Sequence, residues 1–413
     1  MRNRLIFMPL LLAGGITFAL LADAAQGPGP VVPAKHAEAA AGQVRDLTKL
    51  TPQQSASYIA LRRTVEWLRR TNRPDGRFVY GFLPDLRVPL EGDSFIAQAG
   101  ATCALARSVR FLGDEKALAI CRQALLTLLL ETTLDPKSKD VRHTAAPAAL
   151  VSRLAGHGLL VAAIHELPAP GKDLLEQAEQ LCNYLRLQQD PTDGSLRDKE
   201  AGGEAKAGLR DEDFIGPGVA LQGVMRSQSR QPAEWKLEMA RKANAYALAS
   251  WNQRKSTSLA VSFTPALAEA YVLTKEKAFA ELVFAMNDWL CTMQYDGGDS
   301  VRPDWVGGFR LDAPSGPVAP DIRSAAAAES LGDACRVARA TGDLPRLQRY
   351  GRALESGLQF VLTLQYTESR AQHFVESFRP AIVGAFHASG QDGKIRVDFA
   401  HHAVSALVRH LEE

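Results

Sequence analysis

The stretch Asp93-Ser94-Phe95-Ile96-Ala97-Gln98-Ala99-Gly100-Ala101-Thr102-Cys103-Ala104-Leu105-Ala106-Arg107 decides the reading of the fold. It has helical character but almost no charge, and small side chains recur on every face. A helix of that kind is covered on all sides by other helices, because small residues let backbones approach closely. A glycine and an acidic pair, Gly113-Asp114-Glu115, then close it and open a second helix. The same punctuation returns where Cys335-Arg336-Val337-Ala338-Arg339 runs into Gly342-Asp343-Leu344. The neighbouring helices are richer in charge, as in Trp235-Lys236-Leu237-Glu238-Met239-Ala240-Arg241.

Read outward from there, the chain is a succession of helices separated by loops carrying Gly, Pro and Asp, with strand signals nearly absent. Helices are expected over 55–70, 93–111, 115–130, 143–167, 172–188 and 213–227. Six more are expected over 233–251, 262–273, 276–293, 321–340, 344–364 and 398–411. Small-residue helices, such as the one holding Ala325 to Ala328, alternate with charged ones. An inner ring of six helices wrapped by an outer ring of six explains that alternation, and the unequal spacing suits degenerate hairpins with loops of variable length.

The 413 residues carry 48 Lys and Arg against 46 Asp and Glu, a net charge of +2, which argues against nucleic acid as a partner. Charged residues at 23% and hydrophobic ones at 46% exclude a disordered chain. At the start, Arg2 and Arg4 precede the apolar stretch Leu5 to Leu21, and Ala22-Asp23-Ala24 supplies a small-x-small cleavage pattern. Residues 1–25 are expected to be a secretory signal, 26–52 a flexible linker, and 53–413 a single exported helical domain, periplasmic or secreted. A membrane anchor arises only if the signal stays uncleaved. The five cysteines are too scattered for a disulfide scaffold and read as small buried apolar residues.

Several helix exits share a pattern. Leu185-Arg186-Leu187-Gln188-Gln189 precedes Asp193-Gly194-Ser195, Leu290-Cys291-Thr292-Met293-Gln294 precedes Asp296-Gly297-Gly298, and Leu68 to Arg77 contains Asp75-Gly76. With this loop signature and its helix count, the chain resembles the six-hairpin (α/α)6 toroid superfamily. That group includes glycosidases, unsaturated-uronide hydrolases and sugar epimerases. A variant ring is used by terpenoid cyclases and prenyltransferases. The resemblance implies an all-α toroid and a carbohydrate-active enzyme: a hydrolase, lyase or epimerase.

In such a ring the inner helices run parallel, and their N-terminal ends meet at one mouth. The polar residues of the inner helices concentrate there: Asp93 and Gln98, His143, Asp211 and Asp213, Ser262, Asp321 and Arg323, then Asp398, His401 and His402. Each acidic one could equally be a helix cap. The helix ends carry partial positive charge, so with Arg323 they favour an anionic ligand such as an acidic glycan. For glycoside hydrolysis two carboxylates must flank the bond, and Asp93 with Asp213 are the candidates, Asp321 the reserve. Asp398 and His402 lie four apart on one helical face, an arrangement able to poise a base. In epimerases of this architecture paired histidines move the proton, a role that His401 with His143 could fill. Trp305 and Arg379 lie in loops that enter inner helices and border the mouth, as substrate-binding candidates.

No cofactor motif is present: there is no phosphate loop, Gly-x-Ser-x-Gly elbow or His-Glu-x-x-His. Asp333-Ala334-Cys335 and Asp398-Phe399-Ala400-His401 look like the half-sites of zinc-dependent prenyltransferases. Asp333 falls about 18 Å down its helix, however, whereas His401 sits at the entry, so no metal is expected. The remaining alternatives are a terpenoid-cyclase-like protein with an aromatic, apolar cavity, and a non-catalytic binding protein of the cell envelope.

Overall fold

The computed structural model describes residues 47–148, 150–199, 210–298, 301–311 and 317–413. The expected signal and most of the expected linker lie outside them. Inner helices are α2 (Phe95–Leu112), α4 (Arg153–Glu166), α6 (Ile215–Arg230), α8 (Thr257–Thr274), α10 (Ser324–Thr341) and α13 (Phe399–Glu412). Each packs on the next and α13 returns to α2, closing the ring. Outer helices are α1 (Pro52–Thr71), α3 (Glu115–Leu130), α5 (Lys172–Leu187), α7 (Glu234–Gln253), α9 (Lys277–Thr292) and α11 (Leu344–Thr363). A one-turn helix, α12 (Arg379–Ile382), sits in the last loop. None of the described helices is long and apolar enough to cross a membrane. All five cysteines are free, and Cys103, Cys121, Cys182 and Cys335 are buried.

Two inner helices begin elsewhere than expected. Residues 143–148 and 150–152 are not helical: β3 (Thr132–Asp135) pairs antiparallel with β4 (Ser138–Thr144), so His143 is a strand residue. Pro147 lacks an N–H and biases its predecessor away from helix, and α4 starts only after Ser152, whose hydroxyl accepts from the Ala155 N–H. Helix α8 starts at Thr257 rather than 262, capped by Ser256. Pro265 lies inside the helix.

The strands are too short for a period-two pattern to show. Strands β1 (Gly81–Leu83), β2 (Val88–Pro89), β5 (His387–Ser389) and β6 (Asp392–Arg396) form a sheet in the order β2-β1-β6-β5. Phe82 pairs with Ile395, so the sheet stitches the first interhelical loop to the last and closes the ring at its seam.

The outer-helix exits form a repeated clamp. Gln189 pairs with Leu196, Gln294 with Phe309, Gln365 with Phe386, and Asn72 takes the same place opposite Phe78. In each loop a Gly-x-Phe or Gly-x-Leu step follows: Gly76, Gly194, Gly307 and Gly384. The Gln amides donate to backbone carbonyls of the next outer helix: Gln189 to Met239 at 3.0 Å, Gln294 to Ala353 at 2.9 Å, Gln365 to Ala60 at 3.0 Å. At Gly307 and Gly384, φ is 87° and 97°, and a Cβ would be driven into the carbonyls of Ser356 and Arg63.

Along the axis every inner helix contributes to one buried network of ion pairs. Arg107 of α2 meets Glu166 of α4 (3.2 Å), which meets Arg226 of α6 (3.4 Å), which meets Glu269 of α8 (3.4 Å). Glu269 meets Arg336 of α10 (3.1 Å), and Arg336 and Arg409 of α13 share Asp333 (2.8 and 2.9 Å). Arg107 closes the circuit on Glu329 of α10 (2.9 Å). Burial by itself would raise the carboxyls of Glu166 and Glu329. Arg226, Arg110 and Arg107 around Glu166, and His402 and Arg107 beside Glu329, hold them well below the usual range instead.

Two outcomes follow for stability. Gly384→Ala should destabilise the protein by about 3 kcal/mol, summing positive-φ strain and overpacking. Gly390→Ala, with open space around it, should be neutral, and equal urea midpoints for the two variants would refute the clamp. Burial pushes His157, His165 and His401 down to about 3. The unfolded chain protonates them near 6.5, so stability is full above that pH and falls as pH drops toward 3, by about 1.4 kcal/mol per pH unit for each histidine. Urea unfolding between pH 7 and 5 should show this slope. His165→Leu should flatten it by one proton, and an unchanged slope would count against the assignment.

Candidate active site

At the helix entries the expected carboxylates are present, and each is held by an arginine. Asp93 accepts from Arg77 (2.5 Å), from Gln98 (2.8 Å) and from the Ser94 N–H. Asp213 accepts twice from Arg210, Asp321 is gripped by Arg323, and Asp398 binds Arg396 through both oxygens (2.9 and 2.6 Å). Asp211 pairs with Arg254. Capping accounts for part of this: Asp213 completes a capping box by accepting the Arg210 N–H and Asp321 accepts the Arg323 N–H, whereas α2 is capped by Ser94, and Asp398 occupies the cap position of α13 without a side-chain cap bond. Asp93 and Asp213 are each bound to an arginine of their own rather than to one another. Gln98 is buried and clamps the backbone N–H and carbonyl of Phe78, a structural role.

Of the two histidines that open α13, His401 is buried. Its Cβ lies opposite Gly100 of α2, and its Nε2 meets no partner among the described residues. Burial keeps it neutral. His402, with ring centroid 4.6 Å away, keeps 42% of its side chain exposed. Its Nδ1 lies 2.7 Å from Oε2 of Glu329, whose side chain is only 3% exposed. The carboxylate partner of His402 is therefore Glu329 and not Asp398, four residues away on the same helix. Glu329 escaped the sequence reading, although a lone acid directly after Ala325 to Ala328 was the available signal.

Glu329 lies five residues into α10, about 8 Å from its start, and so forms the floor beneath the mouth. Nδ1 of His402 is occupied by the carboxylate, which leaves Nε2 to take or give a proton. The negative charge supports the imidazolium that forms. Beside this pair stands Phe399, three residues earlier on the same helix. The Arg396 guanidinium lies 5.4 Å from the Phe399 ring centre and 5.7 Å from that of Tyr80.

The other candidates are dispersed. His143 sits in β4 with Nδ1 2.9 Å from the Thr144 carbonyl and its ring against Tyr184, so no helix start places it at the mouth with His401. Trp305 packs edge-on to Tyr295 under Arg302. Arg379 donates to the carbonyls of Phe374 and Gln372 and ties its own loop together. Asp333 is engaged by two arginines and Cys335 is buried, and no group of metal ligands occurs among the described residues. The axis carries charged pairs where a terpenoid-cyclase-like cavity needs an aromatic, apolar lining.

No family model and no curated sequence matches the chain. Solved structures do. A D-mannose isomerase superposes with TM-score 0.62 at 11% identity, over 88% of this chain and 99% of its own. The cellobiose 2-epimerase of Bacillus thermoamylovorans B4167 gives 0.61 at 10%, over 87% and 98%. An unsaturated glucuronyl hydrolase specific for heparin gives 0.60 at 13%, over 87% and 97%. With its closed inner ring of six helices and the outer helices around it, the chain has the (α/α)6 toroid fold of these sugar-processing enzymes.

Proposed function

We propose that this chain is an exported carbohydrate-active enzyme that moves a proton on a sugar, an epimerase or isomerase, with His402 as its acid–base group. One observation carries the reading: a half-exposed imidazole is held from below by a buried carboxylate, while the entry carboxylates expected to catalyse are bound to arginines. Nε2 of His402 would take the proton from the carbon next to an open-chain sugar's carbonyl. The electron pair moves into the carbonyl and forms an enediolate. For isomerisation the proton returns to the former carbonyl carbon while the hydroxyl proton passes from the second oxygen to the first. For epimerisation the enediolate turns about its C2–C3 bond, and His402 returns the proton to the other face of the original carbon. Glu329 stabilises the imidazolium in between.

The names of two structural neighbours, an epimerase and an isomerase, agree with this chemistry. Arg77, Arg210, Arg254, Arg323 and Arg396 at the entries, together with six helix N-termini, support an acidic sugar or glycan end as the substrate. Export rests on the Arg2 to Ala24 pattern.

The test is incubation of the protein with reducing uronic acids and neutral aldoses in D2O, reading deuterium at C2 by NMR. His402→Ala should lower exchange about 10²–10⁴-fold. Exchange on no sugar, or exchange that survives His402→Ala, would sink the reading. Release of new reducing ends without exchange would favour hydrolysis instead.

A further inference from the structure

Glu329 faces two ways. Oε2 accepts from His402, and Oε1 accepts from Nη1 of Arg107 at 2.9 Å. Arg107 is only 1% exposed, lies twelve residues into α2, and is anchored on its far side by Glu166. A carboxylate whose oxygens are drawn in different directions by two donors on two helices is fixed in plane and in charge. We propose that Arg107 is the positioning residue of the His402 site: it holds Glu329 as an anion in one orientation, and Glu329 in turn holds the His402 ring with Nδ1–H directed at it. This rests on reading His402 as the reacting group.

Arg107 never reaches the mouth, so it acts only through Glu329. The charged and titratable groups around it are Cys103 and Arg110 on its own helix, Glu166 of α4, Arg226 of α6, Glu329 and Asp333 of α10, and His401 and Arg409 of α13. Of the two carboxylates that accept from Arg107, Glu166 and Glu329, only Glu329 also holds a histidine among the described residues, the partly exposed His402. Without Arg107, Glu329 would be a buried carboxylate with a single histidine partner. Uptake of a proton from solvent by the carboxylate would then relieve the buried charge, and the acid formed would donate to Nδ1 of a ring in its Nε2–H tautomer.

The test uses the full chain labelled with ¹⁵N-histidine, its His402 signals assigned by their loss in His402→Ala. The native protein should show His402 as the Nδ1–H tautomer. Arg107→Met should convert this to a mixture, lower kcat about 10–100-fold with KM little changed, and move the acid limb of the pH–rate profile upward. Arg107→Lys should restore the tautomer in part. A folded Arg107→Met protein with the native tautomer and profile overturns the proposal. If Arg107→Met does not fold, the charge-balanced Arg107→Met/Glu329→Gln pair replaces it. Action solely through Glu329 requires the double variant to match Glu329→Gln in tautomer and rate, and a further additive loss refutes it. The tautomer readout needs no substrate, so failure to find a sugar that turns over counts against the proposed function and leaves Arg107 to be judged by NMR.

Discussion

The structure depends on the buried circuit of ion pairs along its axis. Six helices cannot meet around an axis without leaving a central column to be filled, and small side chains alone leave it empty. This chain fills the column with alternating guanidinium and carboxylate groups, at least one from each inner helix. Such pairs add little net stability, because desolvation offsets their attraction, but removing one partner strands a buried charge at about 3–5 kcal/mol. The circuit is therefore demanding about register: each helix must present its charge at the same depth, or its neighbour is left unpaired.

The clamps on the outer wall impose the same demand by different means. At three exits a Gln amide and a positive-φ glycine both need the next outer helix's backbone close by, so these hairpins are tied to their successors. The β1–β6 pairing ties the last to the first. Rigid at wall and axis, the ring leaves its mouth to the loops. Glu329 of the axial circuit holds the half-exposed His402, so the group suited to acid–base work rests on the most constrained part of the fold.

Much of this was legible along the chain. The small-residue stretch from Ala97 to Ala106 and the Ala325–Ala328 run marked inner helices, and Gln with a following glycine marked the outer exits, although the recurring Gly-x-Phe step passed unread. The α13 entry was found as a cluster, yet its partner was assigned by proximity in sequence, to Asp398. Asp398 instead pairs with Arg396 two residues before it, and the carboxylate that reaches His402 comes from another helix, 73 positions earlier. The α4 boundary was misplaced because a short hairpin carries too few residues for periodicity to reveal it.

By itself, then, the sequence determined an all-α ring, its inner and outer helices, and the helix entry at which Asp398, His401 and His402 cluster. Periodicity and residue size are local properties, and burial on all sides leaves its mark on every residue of a helix. Only the tertiary structure decided which charges pair. Arg107, Glu329 and His402 sit on three helices whose mutual depth and rotation are set by packing. Each of the three, alone in its own stretch of sequence, is as compatible with a solvated surface as with the centre of the ring.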